Sequence, residues 1–235
     1  MPDDRELAHP DILDRWLVRG AVAVVVTLQF SLLNDFAYGT RWLAPTLEII
    51  LLVPLTVLTL RAEGIAWHAD TRQQWDSAAW YRRLNRAFGL ALVLVISLAN
   101  GRSLVLLIRA LLAGAPRDGR ALLLDALNVW ATNVIAFSLW YWVLDRGGPS
   151  IDPTVRRGPS DFIFPYMTLP AGTAGAERPP GFIDYLFLSF NTSTAFSPTD
   201  TMPLTIRMKL LMMLEATVSL LTLALVAARA VNILA

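Results

Sequence analysis

The chain has 235 residues, 55% of them hydrophobic and 17% charged, with a mean hydropathy of +0.49; an ordinary soluble domain carries about 25% charged residues. A net charge of +1 gives no electrostatic reason for a nucleic-acid or acidic partner, and the absence of cysteine removes disulfide and thiolate chemistry. The apolar residues cluster in runs near the roughly 20 residues needed to cross a bilayer, so the expected class is an all-α integral membrane protein.

The opening residues, "MPDDRELAHPDILDR", are charged and lack the basic-then-apolar order of a signal peptide, so the first span is expected to be retained. Five apolar segments follow, at about 16–33, 42–60, 87–112, 121–144 and 206–233. Arg19 lies near the start of the first. The second contains Pro54 and Glu48, which either pairs with Arg19 or Arg102 inside the bundle or lies near the surface. The third has a clean apolar run over only 87–99, so a span there must take in Asn100, Gly101 and Arg102. Its arginines, Arg102 and Arg109, are too few and too far apart for a voltage sensor.

Residues 61–86 mix Trp67, Trp75, Trp80 and Tyr81 with Arg72, Arg82, Arg83 and Arg86. Aromatic rings beside arginine suit the headgroup layer, so an interfacial helix or helical extension is expected. In the fourth segment Asn128 and Asn133 are read as interhelical hydrogen-bond donors rather than a conduction path. Trp130, Trp140, Tyr141 and Trp142 are read as packing and interface residues. Residues 145–181 hold seven prolines and cannot be helical throughout. The inner piece "DFIFPYM" is apolar enough to pack onto the rest of the protein.

After Gly181 comes "FIDYLFLSFNTSTA", too short to cross a bilayer, and then the polar, Pro-broken "FSPTDTMPLT". Non-helical backbone at membrane depth is tolerated only when buried in protein or facing water. The order short helix, polar return, full span therefore reads as a re-entrant pore loop. Here the sequence resembles the pore domain of the potassium channel superfamily, whose pattern is S-x-x-T-x-T-T-V-G-Y-G-D-x-x-P-x-T. Ser189, Thr192, Thr194, Asp200, Pro203 and Thr205 of "SFNTSTAFSPTDTMPLT" fall on its positions without a gap. The resemblance covers about 121–235: a span, the Pro-rich loop 145–181, a pore helix 182–194, a filter-like turn 195–203 and an inner-type span 206–233. Residues 1–120 form an N-terminal membrane region of three spans with no such resemblance.

The departures matter as much as the matches. Ala195, Phe196, Ser197, Pro198 and Thr199 stand where the family has T-V-G-Y-G. That filter replaces an ion's water shell with backbone carbonyls, and Pro198 fixes φ and offers no N–H. Phe187 and Leu188 take the places of the family's aromatic donors, so Asp200 must find another partner or face water. Ser219 replaces a hinge glycine, so a hinge is not supported. Glu215 is an intramembrane ionisable group and hence a functional candidate; Arg229 lies close enough to the helix end to snorkel.

These readings point to an ion-channel-like homotetramer in the cell membrane, a cation pore lacking a potassium-selective filter. The filter positions are Thr192, Thr194, Ala195, Phe196, Ser197, Pro198, Thr199 and Asp200, with Glu215 and Ser219 on the inner helix. The expected partners are the lipid bilayer and permeant cations, with no nucleic acid. The alternative is a non-conducting membrane scaffold or sensor that keeps the pore-loop fold and binds a partner through its Pro-rich segment. His9 and His68 are far apart and no phosphate-binding glycine loop precedes a helix, so no enzyme, cofactor or metal site is expected. Five spans would put 14 of the 20 Lys and Arg on the pore-loop face. Charge bias then places that face in the cytoplasm, whereas the family places it outside; orientation stays open.

Overall fold

The computed structural model describes residues 12–32, 43–67, 72–112, 119–145, 160–170, 172–173, 178–194 and 200–234. The chain is mostly helical. Its elements are α1 (Ile12–Leu32), α2 (Leu43–Trp67), α3 (Arg72–Leu112), α4 (Gly119–Leu144), β1 (Phe162–Ile163), a 3-10 turn at Pro165–Thr168, α5 (Phe182–Thr194), β2 (Met202–Pro203) and α6 (Ile206–Leu234).

Each apolar segment becomes a helix, and the helices run on past the apolar limits. α3 is one helix of 41 residues, so residues 72–86 extend it. Within that extension Trp80 is exposed and meets Tyr81 edge to face, and Arg83 and Arg86 are exposed. Asn100, Gly101 and Arg102 stay helical: Asn100 is buried and Arg102 faces out. α2 continues through Pro54, which gives up one backbone donor. Thr56 and Thr59 in the same helix donate their hydroxyls back to Leu52 O and Leu55 O, a local use of polar groups that needs no water.

Among the described residues three helical stretches are long and apolar enough to cross a membrane: Arg83–Leu112, Ala121–Leu144 and Ile206–Ala227. A further apolar helix, Trp16–Phe30, is shorter. Of the three, Ala121–Leu144 is the central one. Its apolar stretch is 61% buried, against 17% for that of Ile206–Ala227, so α6 keeps most of its apolar surface uncovered.

The core joins both halves of the chain. Val22 and Val25 of α1, Leu92, Val93 and Ile96 of α3, Ala136 and Leu139 of α4 and Phe182 of α5 form one buried cluster. Phe182 also stacks edge to face on Trp142. A second cluster is aromatic and lies at the end of the bundle where α5 begins. There Phe137 and Tyr141 of α4, Tyr185 and Leu188 of α5 and Met208 of α6 enclose Phe162 and Phe164. The segment "DFIFPYM" thus packs onto the bundle: Phe162 and Phe164 supply the buried area that holds an otherwise Pro-rich connection in place.

Three contacts fix which helix ends share a face. Phe182 N donates to Asp14 Oδ1 at 3.0 Å, joining the start of α1 to the start of α5. Gly89, early in the apolar stretch Arg83–Leu112 of α3, packs against Val143, late in α4. Asn128 Nδ2, early in α4, donates to Leu28 O, late in α1, at 2.7 Å. The starts of α1, of the apolar stretch of α3 and of α5 therefore lie at one end of the bundle with the end of α4.

Candidate functional site

The site is built around α5 and the return that follows it. α5 has 13 residues, about 20 Å at 1.5 Å per residue. Its start is secured at several points. Asp184, three residues on, accepts Gly181 N at 2.8 Å, which closes the first turn as a capping box does. Asp14 of α1 takes the next free N–H. Arg178 forks onto Asp184 at 2.8 and 2.9 Å while lying 4.1 Å over the Tyr166 ring. The hydrogen bonds to Asp184 push the guanidinium pKa further up, so this cation is permanent.

The buried face of α5 carries Tyr185, Leu188, Ser189 and Ser193. Positions i and i+4 share a helix face, so Ser189 and Ser193 both point at α6. There they meet Glu215, which is fully buried. Ser189 Oγ and Tyr141 Oη are hydrogen-bonded to the two carboxyl oxygens, and Ser193 Oγ donates at 2.9 Å. Ser189 Oγ also lies 2.7 Å from Val134 O. A serine has a single hydroxyl proton, so Ser189 ties α5 to α4 and to α6 with one group placed between two acceptors. Glu215 thus gathers α4, α5 and α6 around one carboxyl. One turn further along α6, Asn133 Nδ2 donates to Ser219 Oγ at 2.9 Å, both side chains being buried.

A second polar knot closes the end of the bundle where α5 begins. Asp145, at the end of α4, accepts Tyr185 Oη at 2.7 Å and Asp161 N at 2.7 Å. The side chain of Asp161 pairs with Arg207 of α6, and its carbonyl accepts Leu204 N at 2.8 Å. That last bond extends the antiparallel pairing of β1 with β2, in which Phe162 faces Pro203 and Ile163 faces Met202. The return strand after α5 is thereby stitched to the inner piece of the Pro-rich connection. Residues 200–203 form a bend and a two-residue strand.

The expected filter residues fall out as follows. Ala195, Phe196, Ser197, Pro198 and Thr199 lie outside the described residues. Thr192 and Thr194 close α5, and their hydroxyls donate to Leu188 O at 2.9 Å and Asn191 O at 3.1 Å within the same helix. Asp200 is exposed to solvent. Ser219 sits within a continuous α6 and is committed to Asn133, which leaves no hinge there. The side chain of Arg229 lies outside the described residues.

One sequence expectation needs correction. Glu48 is fully buried, and neither of its oxygens accepts a hydrogen bond. It pairs with neither Arg19, which lies over the Trp16 ring, nor Arg102, which is exposed. Arg19 is partly exposed and Arg102 exposed, so neither reaches across the apolar packing to this buried acid. Sequence reading also missed the partners of Glu215. The available signal was Ser189 and Ser193 at i, i+4 ahead of a lone carboxylate in an apolar helix.

Exposed side chains complete the site. Ile183, Phe187 and Phe190, spaced i, i+4, i+7, line the outer face of α5, and Phe190 also meets Trp130 edge to face. On α6, Leu210, Met213 and Leu214 are exposed. No three or more His, Cys, Asp or Glu side chains are grouped as a metal site among the described residues. No protein-family model, curated protein or solved structure matches this chain.

Proposed function

We propose that the chain is one subunit of a homotetrameric, cation-conducting membrane pore, with five membrane-spanning helices and α5 as a re-entrant pore helix. The observation that carries this reading is the placement of α5. It is a helix too short to span, buried on one side by α4 and α6, and followed by a return that comes back to the same end of the bundle and pairs with β1. Backbone that dips into and out of a membrane must be covered by protein or face water. In a lone subunit Phe187 and Phe190 on the outer face of α5 are exposed; symmetric neighbours would cover that face.

The turn carries the departure from a potassium filter, and with it the expectation of weak or different selectivity. The enclosed Glu215 acts in this reading as the post that holds the pore helix, not as a lining residue. The test is purified protein in planar bilayers. Cation currents are expected, with a reversal potential under a cation gradient that shifts on Asp200→Asn. Chemical cross-linking in lipid should stop at four chains. A monomer in lipid, or four chains with no current under any cation gradient, removes the conducting pore and leaves the non-conducting scaffold.

A further inference from the structure

Glu48 and Gln29 stand apart from everything the pore reading uses. Both lie in the N-terminal helices, at 0% and 7% exposure. Gln29 of α1 is the polar side chain that neighbours Glu48 of α2, yet all four of their polar atoms are buried without a well-formed hydrogen bond. Asn100 Oδ1 of α3 is likewise buried and unpartnered. The pairing of α2 with α3 is fixed by Thr59 Oγ1 at 3.4 Å from Asn85 Oδ1 and by Leu55 against Gly89. That register sets Ile96 level with Glu48, and Asn100 one turn beyond.

Orphaned buried polar groups are rare and ask for a partner. These orphans are lopsided: four oxygens from Glu48, Gln29 and Asn100 against a single donor, Gln29 Nε2. Such a set lacks donors, and a bound cation or proton would supply what its oxygens lack. The protein supplies no cation of its own among the described side chains of the helices packed on α2. On α1, Arg19 lies over Trp16 and Asp14 is engaged at the start of α5. On α3, Arg83, Arg86, Arg102 and Arg109 are all exposed. Val25 of α1 and Ile96 of α3 belong to the core cluster against which Leu51 and Leu52 of α2 pack, so the helices leave room only for a small group.

We propose that Glu48 and Gln29, with Asn100 adjacent, form a binding site for one small monovalent cation, a proton or an alkali ion, between α1 and α2. This rests on α1 and α2 lying in lipid, where a lone carboxylate is costly, and not on conduction or a tetramer. A bound charge ties together two helices that touch each other far less than α2 touches α3, and α1 is also the helix that reaches the start of α5.

The experiment uses the full chain in lipid nanodiscs, melted by tryptophan fluorescence. A ligand that binds the folded state alone raises the melting temperature with its concentration. Two titrations separate the sources: sodium or potassium chloride replacing N-methylglucamine chloride at fixed pH and ionic strength, and pH at fixed salt. The wild type is expected to shift upward in one of them, and Glu48→Gln to lose that shift while keeping the others. A shift with alkali ion assigns the site to the ion, and one with acid alone assigns it to the proton. Identical responses of wild type and Glu48→Gln in both titrations overturn the proposal.

Should Glu48→Gln not fold, labelling of wild-type Glu48 by dicyclohexylcarbodiimide, read by mass spectrometry, takes its place. Its rate must fall with added alkali ion or with rising pH, and a rate indifferent to both is equally fatal. Extraction of the chain from membranes by alkaline carbonate would instead show the lipid premise wrong.

Discussion

Replacing Glu215 by alanine removes the acceptor shared by Tyr141, Ser189 and Ser193. Ser189 keeps Val134 O as an acceptor at 2.7 Å, so two buried hydroxyls are orphaned. Each costs about 1–3 kcal/mol, while hydrogen bonds between membrane helices average nearer 0.6 kcal/mol; together these place the loss at about 2–4 kcal/mol. Glu215→Leu fills most of the void but orphans the same hydroxyls, so it separates cavity from hydrogen bonding and should fall between alanine and wild type. Glu215→Gln keeps one oxygen for Tyr141 and turns its amide N–H groups to Ser189 and Ser193, which frees the Ser189 proton for Val134 O. It should stay within about 1 kcal/mol of wild type. The assay is unfolding in mixed micelles followed by tryptophan fluorescence. If Glu215→Ala and Glu215→Gln unfold together with the wild type, the carboxyl is not what holds α5 between α4 and α6.

Gly181→Ala would place a Cβ 3.0 Å from Asp14 Oδ1, turning Asp14 away from Phe182 N. A loss of about 1 kcal/mol, the value of a helix cap, should appear in the same unfolding assay, and none should appear when Asp14→Ala is already present. Tyr185→Phe takes one hydrogen bond from the buried Asp145 and should cost about 1.5–3 kcal/mol, as bonds to charged groups do; an unchanged midpoint would show that water replaces the hydroxyl. Arg207→Met leaves Asp161 buried and without its cation, but the arginine is half exposed. Water therefore screens part of the pair, and a cost of about 1–2 kcal/mol is expected, with faster proteolysis of the 160–205 connection as a second readout. Ser219→Ala strands Asn133 Nδ2 and should cost between 0.6 and about 1.7 kcal/mol, measured as a double-mutant cycle with Asn133→Ala.

Much of the helical layout was legible in the order of residues. Apolar runs of span length, the 182–194 helix between Gly181 and a Pro-containing turn, and the burial of "DFIFPYM" all follow from local composition, because each is decided by the neighbours of a residue along the chain. The helical extension ahead of the third apolar run was legible as well. α3 runs back to Arg72 through a polar, aromatic stretch, since helix propensity and not hydrophobicity carries those turns.

Pairings across the fold could not be read in this way. Ser189, Ser193, Tyr141 and Glu215 come from three helices, and nothing in a linear sequence says which faces meet. The same holds for Asp161 with Arg207, and for Glu48, which has no cation beside it among the described residues, where reading the sequence suggested Arg19 or Arg102. The sequence by itself determined where apolar helices form and where proline forbids them, because hydrophobicity and backbone restriction act locally. Only the tertiary structure decided which buried acids are satisfied. That depends on how helices rotate against one another, and packing among distant residues sets the rotation.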